Sequence, residues 1–467
     1  MSLISTNPTD EQVLATVPEF SDEQVQTALH KSKNAFESWK KSSFSQRKTL
    51  MHKLALILRQ ERDAFATLIS LEMGMPISQS VGDIEKSAQI AEYYADNAEE
   101  FLKNIEVTGD GKSYVSYEPL GVVLHIAPWN YPFYLALRTV IPAVMAGNSV
   151  LLKHASNVPQ ISQTLQALFN QAGFPEGVFT SLMISSGKVE KIIRNPIVSM
   201  VTLIGSESAG TKVAKVAGEE VKKTVMELGG NDPFIVLKDA DLGEAAKQAA
   251  LSRLRNQGQS CNAAKRFIVQ KEVSEQFTSL VKKIFEEEAV GDPMDTQTTI
   301  GPVANAESLK TIQRQVEETL KMGGKVLTGG HLETSLQSQN YREFRQKHTA
   351  GFYYPPTLIT DISTDSPLYK EEVFGPVVGI IVVEDAEEAV KVANDSVLGL
   401  GASVWTQDLD LAKEIIPQLE CGMVCVNSMV RSNIKMPYGG LKRSGYGREL
   451  GPDGIKEFVN VKSVVIS

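Results

Sequence analysis

The sequence predicts an α/β protein made of two α/β domains, each built on a parallel sheet. Its length of 467 residues exceeds the roughly 250–300 at which a single hydrophobic core stops growing. From Gly121 onward, short apolar runs with the length of buried strands alternate with helical patterns, which predicts parallel strands covered by helices on both faces. The alternation starts again at Pro233, so two sheets are the simplest account.

The first hundred residues are predicted to be mostly helical. Ser21 and Gln24 have the spacing of a capping box, and an apolar stripe at helical period follows them. Further along, the predicted helices between the first strands cover residues 135–145 and 160–171. The predicted strands cover residues 121–126, 149–153, 178–184, 200–204, 233–237, 267–269, 377–383 and 423–426.

Composition narrows the classes of partner. A net charge of −9 without a long basic run argues against a nucleic-acid-binding protein. The sequence has no stretch of about 20 apolar residues, so no membrane-spanning helix is predicted. The segment Met1 to Glu11 lacks the features of a signal peptide. Three cysteines indicate a reducing compartment without a disulfide framework, so we expect a cytoplasmic protein. The six histidines form no ligand-spaced cluster, and no metal site is expected.

Two phrases point to chemistry. Glu227 opens the phrase Glu-Leu-Gly-Gly, and Cys261 closes the phrase Gly-Gln-Ser-Cys. A thiolate can attack a carbonyl, and a carboxylate can later activate the water that releases the product. The glycines beside both groups leave room for a substrate or cofactor. On local sequence alone, an inert buried cysteine and a surface carboxylate at a strand end remain competing interpretations.

The same two phrases resemble the signature motifs of the aldehyde dehydrogenase superfamily, and further matches run from about Pro128 to Lys462. The resemblance implies an aldehyde-dehydrogenase-like fold with a Rossmann-type cofactor-binding domain over residues 1–103 and 120–229. It also implies a catalytic domain over residues 230–450 and a small oligomerisation element over residues 104–119 and 451–467. A homodimer or homotetramer is therefore expected.

The resemblance assigns a set of residues to a nicotinamide cofactor. The segment from Gly205 through Ser206 to Gly210 resembles the family's dinucleotide loop, although an ordinary strand-to-helix turn is the alternative. Lys153 and Ser156 resemble the segment that contacts the adenosine ribose; Ser156 replaces the usual glutamate there. Because a small neutral side chain does not repel a 2′-phosphate, the cofactor is expected to be NADP or NAD. Trp129, Glu372 and Phe374 are assigned to the nicotinamide half of the cofactor.

For catalysis, the resemblance adds Asn130 to Cys261 and Glu227. Its amide would donate to the oxyanion that forms when Cys261 attacks an aldehyde, together with the backbone N–H of Cys261. The alternative for Asn130, favoured by local sequence alone, is a side chain that caps a turn. An intact Cys261, Glu227 and Asn130 argue against the non-enzymatic alternative, an idle cofactor-binding structural protein.

Two arginines bear on the substrate. Arg138 lies in an otherwise apolar predicted helix, and Arg255 lies six residues before Cys261. They resemble the paired arginines that hold the distal carboxylate in succinate-semialdehyde dehydrogenases, and Ser432 resembles the serine that completes that site. Structural salt bridges are the competing interpretation for the arginines. The resemblance thus implies oxidation of succinate semialdehyde to succinate, and the rival within enzymes is a broader ω-semialdehyde or aliphatic aldehyde dehydrogenase.

Two departures from the family pattern affect the expectations. Asn460 stands where a glutamate that helps to move protons away from the general base is expected, so proton release should use another route. Ala263 stands where some relatives have a second cysteine, which excludes a disulfide switch at that point.

Overall fold

A computed structural model of the chain describes residues 2–107, 112–330 and 339–466. In chain order its helices are α1 Asp22–Trp39, α2 Phe44–Gln60, α3 Arg62–Met73, α4 Ile77–Phe101, α5 Pro132–Met145, α6 Pro159–Ala172, α7 Val189–Ile193, α8 Glu207–Glu219, α9 Leu242–Leu254, α10 Lys271–Glu287, α11 Ala306–Lys321, α12 Gln339–Lys347, α13 Pro367–Lys370, α14 Ala386–Asn394, α15 Leu409–Ile415 and α16 Gly451–Lys456. Within these ranges, no helix combines the length and the apolar character that crossing a bilayer requires.

The strands fall into several sheets. In chain order they are β1 Ser2–Thr6, β2 Val13–Pro18, β3 Ile105–Glu106, β4 Tyr114–Pro119, β5 Val122–Ile126, β6 Ser149–Lys153, β7 Phe179–Ser181, β8 Val198–Ile204, β9 Lys223–Glu227, β10 Pro233–Val236, β11 Arg266–Gln270, β12 Lys325–Thr328, β13 Thr357–Thr360, β14 Val377–Val383, β15 Leu398–Gly399, β16 Gly401–Trp405, β17 Met423–Val426, β18 Leu441–Lys442, β19 Gly445–Tyr446 and β20 Val459–Val464.

The first large sheet has the order β19-β9-β8-β5-β6-β7, and its strands are parallel except for the short edge strand β19. Each strand from β5 to β8 follows the apolar pattern that the sequence analysis used, because both faces of a parallel sheet are covered by helices. The strand predicted over 178–184 is shorter than expected, since only Phe179–Ser181 is paired. The predicted α/β class is confirmed.

The second large sheet has the order β12-β13-β14-β11-β10-β16-β17. Its pairings are parallel except between β12 and β13. The predicted strands at 233–237, 267–269, 377–383 and 423–426 all lie in it. Phe234, Phe267 and Trp405 pack together on one face, which fixes the centre of this domain's core.

The expectation for the first hundred residues is only partly correct. The helices α1 to α4 fill most of that stretch, and the capping box of Ser21 and Gln24 is confirmed. However, β1 and β2 form an antiparallel hairpin ahead of them. Leu3 and Val17 turn into a small cluster with Met183, while alternate residues stay exposed. So short an alternation gives a weak signal beside four long helices.

A third, small sheet has the order β20-β4-β3. It joins parts of the two segments assigned to the oligomerisation element; residues 108–111 and 467 of that element lie outside the described residues. Near the end of the chain, β19 pairs with β9. The chain therefore returns from the second domain to the edge of the first sheet just before α16.

Candidate active site

The carboxyl edge of the first sheet collects several of the predicted site residues. The ladder aligns Glu227 at the end of β9 with Ile204 at the end of β8, and Ile126 at the end of β5 with Lys153 at the end of β6. The loops that follow β5 and β8 carry Asn130 and Gly205. Ligands of open parallel sheets bind at this edge because the loops after neighbouring strands converge there.

The segment before Cys261, the predicted nucleophile, has a strained backbone. Asn256 and Gln257 adopt φ values of 51° and 53°, and Gly258 follows at 72°. Residues other than glycine rarely take this left-handed conformation, and such strain persists only where surrounding contacts enforce it. Here Asn256 Nδ2 donates to Asn130 O at 2.7 Å and Gln257 Nε2 donates to Gly74 O at 2.8 Å. A Cβ at position 258 would overlap the carbonyl oxygen of Gly375.

Two cavities meet at the thiol of Cys261. A cavity of about 280 Å³ on one side is lined by charged and polar groups, and a cavity of about 260 Å³ on the other side has a more apolar lining. Cys261 and Leu135 line both. Asn130 is buried, lines the second cavity, and donates one amide hydrogen to Gln259 O at 3.0 Å. The same amide carries a second hydrogen.

Glu227, the predicted base, is buried beside the thiol and faces Arg138. Arg138 Nη2 lies 3.3 Å from Glu227 Oε2 and also pairs with Glu449. Burial raises the pKa of Glu227 to about 7, and Arg138 opposes this rise. Burial also raises the pKa of the Cys261 thiol well above its usual value, and the charge of Glu227 adds to the rise. A thiol with a base beside it suits proton transfer from sulfur to carboxylate.

Arg138 makes the ion pairs that the competing interpretation anticipated. It is buried in α5 and lines the first cavity, yet two carboxylates already share its guanidinium. Its Nε has no hydrogen-bond partner among the described residues. The guanidinium therefore contributes positive charge to the cavity lining and also pairs with both Glu227 and Glu449.

A second carboxylate lies near Glu227, although Asn460 stands where the family resemblance led us to expect a glutamate. Asn460 lies exposed on β20, whereas Glu449 lies buried beside Arg138, with Oε1 accepting a 2.9 Å hydrogen bond from Thr139 Oγ1. A backbone bridge between Glu449 and Tyr438 fixes this segment. This carboxylate lies eleven residues before Asn460, in the turn before α16 instead of on β20.

The first cavity is rich in positive charge. Arg255 is half-buried there, with its guanidinium 5.5 Å from the ring centroid of Tyr131. Ser432 lies in the same lining, and its Oγ accepts a 2.7 Å hydrogen bond from Lys86 Nζ. Arg431 also lines the cavity. Asp83, an acid in the same lining, accepts hydrogen bonds from the backbone N–H groups of Phe133 and Tyr134 at the start of α5.

Lys86 is a functional candidate that the sequence analysis missed. Burial and, to a smaller extent, the charge of Arg255 lower its pKa to about 7. Its Nζ also lies 4.4 Å from the ring centroid of Tyr134. The available signal was a lysine three residues after Asp83 on the mostly buried side of α4, but this spacing does not reveal that Ser432 lies opposite.

The second cavity brings together most of the predicted cofactor residues: Trp129, Gly205, Ser206, Glu372 and Phe374. The rings of Trp129 and Phe374 meet edge to face at 5.7 Å. Glu372 Oε1 accepts the Gly230 N–H at 3.1 Å and lies 3.4 Å from Lys265 Nζ. Apolar walls, the carboxylates of Glu227 and Glu372 and a helix N-terminus fit a ribose and an aromatic ring of a nucleotide.

The remaining predicted cofactor residues lie elsewhere. Lys153 Nζ is 3.5 Å from Ser156 Oγ at the same sheet edge, and burial lowers the pKa of Lys153 to about 8. Gly210 packs inside α8, where a Cβ would come within 2.5 Å of Leu228 Cδ2. The glycine at this position therefore allows close packing of helix against strand.

Lys265 ties the nucleophile to the second cavity and was not anticipated. Its buried Nζ donates to Ser260 O at 2.7 Å and to Cys261 O, in addition to its ion pair with Glu372. A lysine beside an arginine at the start of a strand gives no local sign of such contacts.

Comparison with known proteins agrees with this geometry. The model of the aldehyde dehydrogenase family matches residues 2–464. A probable NADP(+) succinate-semialdehyde dehydrogenase of Synechocystis is 44% identical over 100% of both chains, and an NADP(+) succinate-semialdehyde dehydrogenase 1 of Mycobacterium ulcerans is 42% identical over 99% of each. The solved succinic semialdehyde dehydrogenase of Streptococcus pyogenes in complex with NADP+ superposes with a TM-score of 0.94, at 36% identity over 99% of both chains. This chain belongs to the aldehyde dehydrogenase family.

Proposed function

We propose that this protein oxidises succinate semialdehyde to succinate with NADP or NAD as the oxidant. The observation that carries the proposal is the position of the Cys261 thiol between a cationic cavity and a second cavity that fits a nucleotide. The relatives named for NADP-dependent oxidation of this aldehyde support the choice of substrate and cofactor.

The cationic cavity suits an aldehyde that carries a carboxylate at its far end. Arg255 makes no ion pair with a carboxylate of the described residues. Its guanidinium can therefore donate to the carboxylate of a ligand. Ser432 and Lys86 add two donors. Arg138 remains a predicted contact of the substrate carboxylate, through the guanidinium N–H groups that do not bind Glu227 or Glu449. A charge-assisted hydrogen bond contributes about 1.5–3 kcal/mol to binding. An uncharged aldehyde cannot make this bond.

Catalysis begins with the transfer of the thiol proton from Cys261 to the adjacent Glu227. The sulfur then attacks the aldehyde carbon, and the second amide hydrogen of Asn130 and the backbone N–H of Cys261 donate to the oxyanion of the thiohemiacetal. The strained backbone before Cys261 is held by Asn256 and Gln257, so the sulfur keeps its position at the junction of the two cavities.

The residues of the second cavity fit the cofactor. Trp129, Phe374 and Glu372 would hold the half that reacts, Gly205 and Ser206 would lie near the pyrophosphate at the start of α8, and Lys153 with Ser156 would contact the adenosine ribose. The small Ser156 and the adjacent cation suit the 2′-phosphate of NADP. When bound, the nicotinamide accepts the hydride that leaves the thiohemiacetal carbon.

Glu227 also serves the second half of the reaction. Hydride loss leaves a thioester on Cys261. Once Glu227 has released the thiol proton, its ionised carboxylate takes a proton from the water that attacks the thioester. Glu449 shares the Arg138 guanidinium with Glu227, which makes it the next carboxylate on a route for that proton. Arg138 keeps the two acids close by offsetting their mutual repulsion.

We further propose that the chain forms a homodimer or homotetramer in the cytoplasm. The sheet of β3, β4 and β20 supports this assembly, because apolar side chains at its rim stay exposed, including Ile105 at 48% and Val461 at 59%. An edge strand with such side chains is a common site of pairing between subunits. The three cysteines are all free, as expected of a reducing compartment.

Absorbance of the reduced nicotinamide, measured with succinate semialdehyde and butyraldehyde, tests the proposal. We expect kcat/KM to favour succinate semialdehyde by roughly 10- to 100-fold, the value of about one charge-assisted hydrogen bond. Equal efficiencies would indicate a broad aliphatic aldehyde dehydrogenase. Cofactor binding without turnover of any aldehyde would indicate an idle structural protein.

A further inference from the structure

A buried tyrosine lies against the nucleophile and has no part in the mechanism above. Tyr438 is held in the loop between β17 and β18 by two backbone hydrogen bonds of 2.7 Å, one in each direction, with Glu449. Its side chain is buried, and its hydroxyl lies 3.6 Å from Cys261 Sγ. Hydrogen bonds to sulfur are longer than those to oxygen, so this distance is a contact between donor and acceptor.

The hydroxyl is suited to donate. Burial raises the pKa of Tyr438 well above its usual value, and the charges of Cys261 and Glu227 add to the rise. The phenol therefore keeps its proton while the sulfur ionises. The Arg138 guanidinium lies 4.9 Å from the ring centroid, which holds the ring against the cavity wall through a cation–π contact.

The sulfur needs such a donor. The charged and titratable groups that face the Cys261 sulfur come from several elements. They are Glu227 at the end of β9, Arg138 from α5, Lys265 in the loop between Cys261 and β11, and the phenols of Tyr131 and Tyr438. Glu227 opposes a thiolate, and the guanidinium of Arg138 is shared by two carboxylates. Lys265 Nζ donates to the backbone carbonyls of Ser260 and Cys261 and pairs with Glu372.

We propose that Tyr438 is a further catalytic residue, whose O–H donates a hydrogen bond to the Cys261 sulfur whenever that sulfur carries negative charge. The inference rests on the proposed function for its kinetic consequences. The thiol proton passes to Glu227, and the Tyr438 hydrogen stays on its own oxygen throughout. When the thioester is hydrolysed, the C–S bond breaks with its electron pair on sulfur, and the same O–H stabilises the departing thiolate.

Tyr438 also lines the cationic cavity, so a contact with the substrate's carboxylate is the rival explanation of its position. The two roles differ in one respect. A donor to sulfur serves every aldehyde equally, whereas a donor to the distal carboxylate serves succinate semialdehyde and leaves butyraldehyde unaffected.

The decisive variant is Tyr438→Phe, which keeps the ring and removes only the hydroxyl. The matched control is Tyr446→Phe, which removes a hydroxyl from an exposed tyrosine that bonds Thr224 at 2.8 Å. Alkylation of Cys261 by iodoacetamide, followed by mass spectrometry of the peptide that contains it, gives its rate between pH 6 and 9 in the cofactor-free protein and requires no turnover.

In Tyr438→Phe we expect the alkylation rate at a given pH to fall roughly three- to tenfold. Loss of a charge-assisted bond lowers the thiolate fraction by about one to two orders of magnitude, and the higher nucleophilicity of the more basic thiolate recovers about half of that on a logarithmic scale. Steady-state kcat/KM should fall by a similar factor for both aldehydes, while Tyr446→Phe matches the wild type in both assays.

An alkylation profile in Tyr438→Phe that overlays the wild type would overturn the proposal, whatever the turnover. A loss confined to succinate semialdehyde would also overturn it and would assign the hydroxyl to the carboxylate. If no aldehyde is turned over by the wild type, the alkylation result still decides the contact with sulfur, because that assay needs only the folded chain.

Discussion

Replacing Arg255 with Met separates recognition of the carboxylate from the chemistry at sulfur. Arg255 lines the cationic cavity and makes no ion pair with a carboxylate of the described residues. Methionine has a similar reach and no charge, so the variant removes the cation without opening a large void. We expect kcat/KM with succinate semialdehyde to fall. With butyraldehyde, which has no carboxylate for Arg255 to bind, kcat/KM should stay within about threefold of the wild type, or about 0.7 kcal/mol.

The size of the fall follows from the surroundings of Arg255. A hydrogen bond to a charged group contributes about 1.5–3 kcal/mol. Arg255 is half-buried, and Lys86 and Arg431 line the same cavity, so part of the favourable potential survives its removal. We therefore take the lower part of the range, about 1.5–2 kcal/mol, which corresponds to a loss of roughly 10- to 30-fold in kcat/KM.

Arg138→Met is the matched control, because this arginine holds Glu227 and Glu449 as well as lining the cavity. Its loss leaves two buried carboxylates without their cation, which raises the pKa of Glu227 further and impairs hydrolysis of every thioester. Both aldehydes should lose activity in this variant. If Arg255→Met instead depresses both aldehydes equally, Arg255 is structural and the assignment of the distal carboxylate to this cavity is refuted.

Three further variants test the other assigned roles. Cys261→Ala should abolish turnover and leave binding of NADP, measured by calorimetry, nearly intact; substantial residual activity would show that another group is the nucleophile. Glu227→Gln should give a burst of reduced cofactor followed by slow turnover. In the wild type, hydrolysis should rise as the pH increases through the raised pKa of Glu227, about 7, because only the ionised carboxylate accepts a proton from water; a steady-state rate in the variant near that of the wild type would point to a different base. Ser156→Glu should shift the NADP/NAD ratio of kcat/KM towards NAD by about 1–4 kcal/mol, through repulsion of the 2′-phosphate and pairing with Lys153, whereas an unchanged ratio would mean that Ser156 does not face the ribose.

Much of the fold could be predicted because its signals are local. Buried parallel strands are short continuous apolar runs, and those at 149–153, 377–383 and 423–426 match the observed strands. The strand β16, Gly401–Trp405, was missed, since glycine at its start and serine at its centre interrupt the apolar run. Its place in the sheet comes from pairing with β10 and β17, which no local pattern records.

The same division holds for the site. Cys261, Glu227 and Asn130 could be proposed from the sequence because each belongs to a distinctive phrase. Lys86 could not, since its contact with Ser432 joins residues 346 positions apart. Glu449 was missed for a different reason: its side chain belongs with the base only because the chain returns to the edge of the first sheet, and that return is a property of topology.

The return of the chain to the first sheet affects the order in which the parts of the site form during synthesis. Ser444 accepts the Leu228 N–H and donates to Gly229 O, so the turn that carries Glu227 is completed by residues from the last twentieth of the chain. Domains form in the order of synthesis, at about 5–20 residues per second. On a ribosome, the thiol and its base are therefore present for roughly 10–40 s before Tyr438 and Glu449 arrive.

A nascent chain at that stage holds both signature phrases but lacks the groups that surround them in the finished protein. Aldehydes are reactive towards any exposed nucleophile, and a delay in assembling the site keeps the cysteine of an unfinished chain an ordinary thiol. A chain that ended near residue 437 would carry both signature phrases and would lack Tyr438, Glu449 and the hydrogen bonds of Ser444 to the turn after Glu227.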